Sequence, residues 1–301
     1  MNFKGHPLYD ELVRLGIVIP ASVSEYYPRV RDREDVAVMR CANTGVIFLS
    51  RIDHVAANYY SEQEGLSYWS KEGREAGLQE TSEDDRRRAS AIGSLVAGKV
   101  YADVGTGLGG ILDLVKTVAK EVHAVEPQRS ARRALEALGY TAHASAAELA
   151  VCGTHFDVIT LFHVFEHLVE PMAELERLYT SLAPGGTILI EVPHANDALL
   201  ASYDLEAFKK FTFWGEHLIL HTRKSLEHYL QSAGFENISV DGFQRYPLAN
   251  HMYWLKEGKP GGQDHWSFLR DKDVEGSYAR MLNKLDRTDT LIAVARKPMG
   301  A

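Results

Sequence analysis

Residues 100–112 read Val100-Tyr101-Ala102-Asp103-Val104-Gly105-Thr106-Gly107-Leu108-Gly109-Gly110-Ile111-Leu112. An apolar run of strand type carries an acid near its end, and four glycines follow within six positions. Glycines this dense allow a tight turn and let a ligand touch bare backbone. A helix starting near Ile111 then aims its free N–H groups at that ligand. The spacing Gly105, Gly107, Gly110 also satisfies the G-x-G-x-x-G dinucleotide pattern, so the glycines alone leave the ligand open. Asp103 narrows the choice. A carboxylate two residues before the first glycine repels a pyrophosphate and suits a ligand whose nearest group is an ammonium.

Further on stands V-H-A-V-E-P, residues 122–127. Glu126 ends a short apolar strand 21 residues beyond Gly105 (126 − 105), about where a second βαβ strand offers an acid to both ribose hydroxyls. Two acids at adjacent strand ends can grip an ammonium and a nucleoside in one molecule. S-adenosylmethionine (SAM) is such a molecule and carries no phosphate. Taken alone, Glu126 also reads as a solvent-facing strand terminus.

Outward from these segments the pattern is regular. Strands are expected at 99–104, 121–126, 139–143, 156–162, 186–192, 236–243 and 288–296. Helical periods fall at 109–120, 129–138, 171–182 and 224–233, the last with Thr222 as N-cap and Gly234 past its end. Strands alternating with helices imply an α/β fold with a doubly wound, mostly parallel seven-stranded sheet. The final two strands follow each other as an antiparallel edge pair. Ahead of this domain, taken as 86–301, residues 1–85 form an α+β lid module with strand-like V-A-V-M-R-C and G-V-I-F-L-S. Thr81 or Ser82 is the expected cap of a helix running through Arg88. Residues 201–221 and 244–287 are additions on the substrate side.

At 301 residues the chain has ample length for a buried core, and 45% hydrophobic with 25% charged residues is ordinary for a globular protein. The net charge of −8 argues against nucleic acid as a partner. Arg86-Arg87-Arg88 follows Glu83-Asp84-Asp85, the order of a solvated helix start. Two cysteines, Cys41 and Cys152, imply neither a disulfide framework nor a zinc cluster. No apolar run is long enough to span a membrane, and the N-terminus lacks a signal-peptide core. A cytoplasmic protein, with a homodimer left open, is the expectation.

The chain resembles the class I SAM-dependent methyltransferases. Four segments carry the likeness over roughly 86–243: D-V-G-T-G-L-G (103–109), A-V-E-P (124–127), F-D-V-I-T-L-F-H-V-F-E-H-L-V-E-P (156–171) and L-A-P-G-G-T-I-L-I-E-V-P (182–193). The resemblance implies that Asp103, Gly105, Thr106, Gly107 and Gly109 meet the methionine part of SAM and that Glu126 and Pro127 meet the ribose. Ser145 or Ala146 lies near the adenine, and Phe162 and His163 close over the adenosine. A narrower likeness is to sugar methyltransferases acting on nucleotide-sugar or surface-glycan precursors. C-A-N-T-G-V-I-F-L (41–49) resembles their small N-terminal zinc module, with Thr44 where a second cysteine stands, so no metal is expected. Residues 213–222, F-W-G-E-H-L-I-L-H-T, resemble their Tyr-His-Glu-His segment, matched at Glu216 and His217 but not at Trp214 and Gly215.

The polar constellations follow. His163-Val-Phe-Glu166-His167 has the H-x-x-E-H form, but His163 falls at a strand end, off the helix face a zinc protease needs. His163 borders the cleft, or these are satisfied loop polars. A neutral histidine is the usual group to take a hydroxyl or C–H proton. His217, oriented by Glu216 or a neighbouring carboxylate, is the preferred base, and His194 the rival. Tyr59, Tyr60, Trp214, Arg245, Tyr246 and Asn250 are candidate acceptor contacts; Arg245 to Trp254 reads as a ring-binding platform or a hydrophobic strand extension. Methyl transfer to a sugar hydroxyl or carbon is the leading function. A quinone or aromatic O-methyltransferase, a non-catalytic SAM-binding subunit and an NAD-dependent oxidoreductase stay as alternatives, the last opposed by Asp103.

Overall fold

A computed structural model describes residues 3, 5–55, 59 and 73–300. Three strands open the chain, β1 (Val23–Tyr27), β2 (Val38–Cys41) and β3 (Ile47–Leu49). Then come β4 (Val100–Val104), β5 (Glu121–Val125), β6 (Thr141–His143), β7 (Phe156–Phe162) and β8 (Leu182–Pro193). The last three are β9 (Ile219–Leu220), β10 (Glu236–Phe243) and β11 (Thr290–Arg296). Seven of them form one sheet in the order β10-β11-β8-β7-β4-β5-β6. The pairs from β8 to β6 are parallel, and β11 runs antiparallel to both its neighbours. This is the doubly wound sheet the alternation implied, with its antiparallel edge.

The chain leaves β4 toward β5 and β6, then returns to lay β7 on β4's other side. That reversal opens a crevice at the carboxyl ends of β4 and β7, where such sheets bind ligands. The interior strands are buried on both faces because helices cover each side. In β8 the run Ile188–Val192 stays buried throughout.

A second, antiparallel sheet has the order β1-β2-β3-β9. Its fourth strand comes from the far side of the chain: Ile47 and Phe48 pair with Leu220 and Ile219. Cys41 closes β2, fully buried. Burial raises its thiol pKa, but bonds from the backbone of Ile19 and from Thr44 outweigh this and lower it.

Several boundaries differ from the sequence reading. The helix expected from Thr81 or Ser82 spans Arg74–Val96, capped by Gly73. Thr81 sits inside it, its hydroxyl donating to Asp85 at 2.7 Å, so the capping residue type was present without the capping geometry. The helix expected over 109–120 ends at Val115. Residues 248–257 form a helix, Leu248–Glu257, and not a strand extension. Thr222 caps Arg223–Ser232 as expected, in a reciprocal capping box with Ser225. Among the described residues no helix is long and apolar enough to cross a membrane.

Candidate active site

The turn after β4 is fixed by its glycines. Gly105, Gly107 and Gly109 have φ of +69°, +56° and +76°, a region side chains disfavour. Gly105 donates to the Val125 carbonyl at 2.7 Å, tying the turn to β5. A Cβ on Gly105 collides with Val164, and one on Gly109 comes within 2.5 Å of Leu135. Glu126 is 7% exposed, and its two oxygens accept the N–H groups of Gly107 and Gln128 at 2.8 Å each. Burial raises its pKa, and those N–H groups lower it less than burial raises it. Each oxygen keeps a second lone pair, so Glu126 can staple the two loops and still accept from a ribose diol.

A cleft of about 870 Å³ opens over these residues, within the range of small-molecule sites. Gly105, Glu126, Pro127, Ser145, Ala146, Phe162 and His163 line the end of it nearest the glycine turn. Ser145 also caps the helix Ala146–Val151 through Glu148. Asp103 and Thr106 instead line an adjoining pocket of about 60 Å³ that shares Gly105, Arg88 and Phe162 with the cleft. Asp103 accepts from the Thr160 hydroxyl at 2.6 Å, and burial lifts its pKa to about 6. Bare backbone at Gly105, a diol acceptor at Glu126 and a small acidic pocket beyond fit a nucleoside carrying an ammonium-bearing tail.

Beneath the glycine-turn end lies a hub the sequence reading missed. Arg87 and Arg88 are not solvated: both reach inward to Glu191 of β8, whose side chain is 1% exposed, at 2.8 and 2.7 Å. Burial raises the Glu191 pKa, but His163, Arg87 and Arg88 outweigh it and hold the carboxyl well below the usual range. His163, at φ +55°, has Nδ1 3.2 Å from Glu166 and Nε2 3.4 Å from Glu191. Burial lowers its pKa, and the two carboxylates more than compensate. A non-glycine residue in this backbone region is strained, and such strain concentrates at functional sites.

Glu166 is a second hub, fully buried on the turn after β7. Burial opposes its charge, but the His163 hydrogen bond and the nearby histidines carry its pKa down to about 2. His217 packs beside it, with ring centroids 5.1 Å from His167 and 5.4 Å from Trp214. Burial, then the charge of His167, lowers the His217 pKa to about 3. Glu216 is turned elsewhere, its Oε1 accepting from the Tyr59 hydroxyl at 2.9 Å. The carboxylate near His217 is therefore Glu166. Tyr60 lies outside the described residues.

The far end of the cleft is lined mainly from the additions. Trp214, His217, His194, Tyr246 and Asn250 line it with Phe208, Phe211 and Trp254. His194 is buried, its Nδ1 2.9 Å from the Thr288 carbonyl oxygen, and burial lowers its pKa to about 4. Asp197 faces the same chamber while capping Leu199; burial, then the charge of Asp289, pushes its pKa up to about 8. Arg245 is ion-paired with Asp84.

A sequence profile described as a methyltransferase domain matches residues 74–240, more than half of the chain. A ubiquinone biosynthesis O-methyltransferase of Parvibaculum lavamentivorans is 29% identical over 188 residues, 58% of this chain and 68% of that protein. A protein of the same name from Psychrobacter arcticus is 27% identical over 192 residues, 58% of this chain and 72% of that protein. Among solved structures, a SAM-dependent methyltransferase from Archaeoglobus fulgidus shares the fold with a TM-score of 0.51 at 17% identity, covering 72% of this chain and 94% of that one.

Proposed function

The chain belongs to the methyltransferase domain family, with SAM as its methyl donor, and on that premise we propose that it methylates a hydroxyl oxygen on an uncharged ring, a sugar first among such acceptors. SAM supplies an electrophilic methyl on a sulfonium that departs as a neutral thioether. The protein's part is then mainly alignment, which is worth up to about 7–11 kcal/mol of barrier. Glu126 would hold the ribose, Ser145 and Ala146 would flank the base, and Asp103 in its side pocket would face the ammonium.

The observation that carries the acceptor reading is a set of buried polar atoms lining the cleft without a hydrogen-bond partner among the described residues. His217 Nδ1 and Gln263 Oε1 are of this kind, while His194 Nε2 lies 3.5 Å from Asp286 Oδ1. Leaving such groups unpaired costs about 1–3 kcal/mol each, so an occupant with several hydroxyls suits the chamber better than one with a single hydroxyl. Trp214, Phe211 and Trp254 offer faces for the apolar side of a sugar ring. Both arginines of the lining, Arg88 and Arg245, are already ion-paired, and Glu80, Asp84, Glu170 and Glu174 line the same cleft. That acidic rim disfavours a diphosphate beside the reacting hydroxyl and supports a neutral glycoside over a nucleotide sugar. His217 is the first candidate to receive the hydroxyl proton and His194 the second; both keep a lone pair at physiological pH.

A second reading, a phenolic or quinol acceptor, is favoured by the names of the curated relatives and by the apolar wall of Leu199, Leu200 and Phe208. Incubating the protein with SAM and a panel of neutral glycosides, nucleotide sugars and catechols, with products located by NMR, separates these. Methylation of a glycoside hydroxyl is expected, with nucleotide sugars poorer. Turnover of catechols alone overturns the sugar, and binding of SAM without turnover across the panel favours a non-catalytic role.

A further inference from the structure

We propose that Glu166, His167 and His217 form a binding site for one divalent transition ion of the Zn²⁺ class, on the acceptor side of the cleft. One ligand atom from each of the three lies within 4.8 Å of the others. Zinc sits about 2.0–2.2 Å from nitrogen and carboxylate ligands, so small side-chain adjustments suffice to close the three on one ion.

The chemistry of the individual atoms supports this. Glu166 Oε2 and His217 Nδ1 are both buried with no hydrogen-bond partner among the described residues. A carboxylate oxygen and a bare imidazole nitrogen are both acceptors, so neither satisfies the other, and a cation satisfies both. His167 Nδ1 is 2.8 Å from the Glu216 carbonyl oxygen, which takes its N–H and leaves Nε2 with the lone pair. That Nε2 is 3.8 Å from Glu166 Oε1. A histidine that donates one ring N–H to a carbonyl while turning the other nitrogen inward has the outer-shell arrangement of metal ligands. Glu166 is oriented in turn by His163 Nδ1, 3.2 Å from its Oε1.

The two segments are also tied by backbone. Leu218 N–H donates to the Glu166 carbonyl at 2.9 Å, fixing the turn after β7 against the segment that enters β9. Two nitrogens and one carboxylate oxygen suit Zn²⁺, Fe²⁺ or Co²⁺ better than Mg²⁺ or Ca²⁺. Three protein ligands leave one position open, the pattern of catalytic rather than structural zinc. His167 and His217 line the cleft, so the open position faces the acceptor, whose hydroxyl an ion there polarises. That role rests on the hydroxyl-acceptor reading, with His194, the second candidate, receiving the proton while His217 holds the ion; the binding of the ion does not.

Titration of the full chain with Co²⁺, followed by its visible d–d bands and by calorimetry, tests the site without turnover. One equivalent is expected to bind, displaced by Zn²⁺, with His217→Ala and His167→Gln each weakening binding about 100-fold or more, beyond the range for outer-shell changes. Affinity for S-adenosylhomocysteine, measured on the same samples, should stay unchanged and so report an intact fold. A wild-type protein that binds no Co²⁺, or binding that survives both substitutions undiminished, overturns the site. If Co²⁺ binds as expected while no hydroxyl in the acceptor panel is methylated, the site stands and the acceptor reading falls.

Discussion

The donor end and the acceptor end of the cleft are built on different principles. At the donor end the carboxylates are held by partners before any ligand arrives, although Thr106 Oγ1 and His163 Nε2 are buried without a hydrogen-bond partner among the described residues. Glu126 holds two backbone N–H groups, Asp103 a threonine hydroxyl, and Glu191 two arginines. At the acceptor end His217 and Gln263 each bury a polar atom without a hydrogen-bond partner among the described residues. Carboxylates fixed in this way are preorganised for one ligand. A site with unsatisfied groups is completed by its occupant, which makes the acceptor end the place where specificity resides.

The sharpest way to break this contrast is at the glycine turn. Gly105→Val places a Cβ against Val164 at φ +69° and should lower donor affinity by roughly 100-fold or more, read by calorimetry with S-adenosylhomocysteine. Donor affinity left intact would show that the turn is not preorganised. Glu126→Ala should have a smaller effect, weakening donor binding at least about tenfold through loss of charge-assisted bonds, with a melting transition that remains cooperative. An unchanged affinity removes Glu126 from the donor site and leaves it a loop staple.

The smallest effect belongs to the acceptor end. The folded pKa of Asp197, about 8, lies above the ordinary aspartate value of 3.8, so the folded state holds a proton the unfolded chain releases. The cost of its burial therefore grows as pH rises from about 4 to about 8. Asp197→Asn should raise the Tm at pH 8 by a few degrees, with the gain vanishing toward pH 4. His194, His217 and His221 act in the opposite sense. Their folded pKa values, about 4, 3 and 3, lie below the ordinary 6.5, so stability falls as pH drops through 6.5. A pH-independent gain in the Asn variant would mean that Asp197 is ionised in the folded protein.

The same contrast explains what could be read from the chain. The donor end was legible because its parts are contiguous: an apolar strand, a glycine turn and an acid at the next strand end. β7 and β10 fall at the expected residues for the same reason, each a short apolar or alternating run between clear breaks. Arg87 and Arg88 were misread because a charge run following acids on a helix has the composition of a solvated face. Only the fold shows Glu191 buried opposite them. Thr81 has the right residue type for a cap but lies in mid-helix, and nothing local marks Gly73 as the start. The Glu166 hub was half visible, since His163, Glu166 and His167 are neighbours in sequence. His217 joins them through the fold, by the backbone tie at Leu218 and the His167 hydrogen bond to the Glu216 carbonyl.

That tie continues into β9, and with it comes a constraint on how the chain is made. β3 ends at Leu49 and its partner begins at Ile219, 170 residues later (219 − 49). During synthesis β1, β2 and β3 leave the ribosome early, with the edge of β3 bare, and wait while five strands of the seven-stranded sheet are produced. Closure over so long a loop is slow, and an unpaired edge invites the wrong strand in the meantime. The protein can therefore complete its first sheet only after most of its second, and a nascent chain stalled before residue 219 exposes the backbone of β3 as a handle for chaperones.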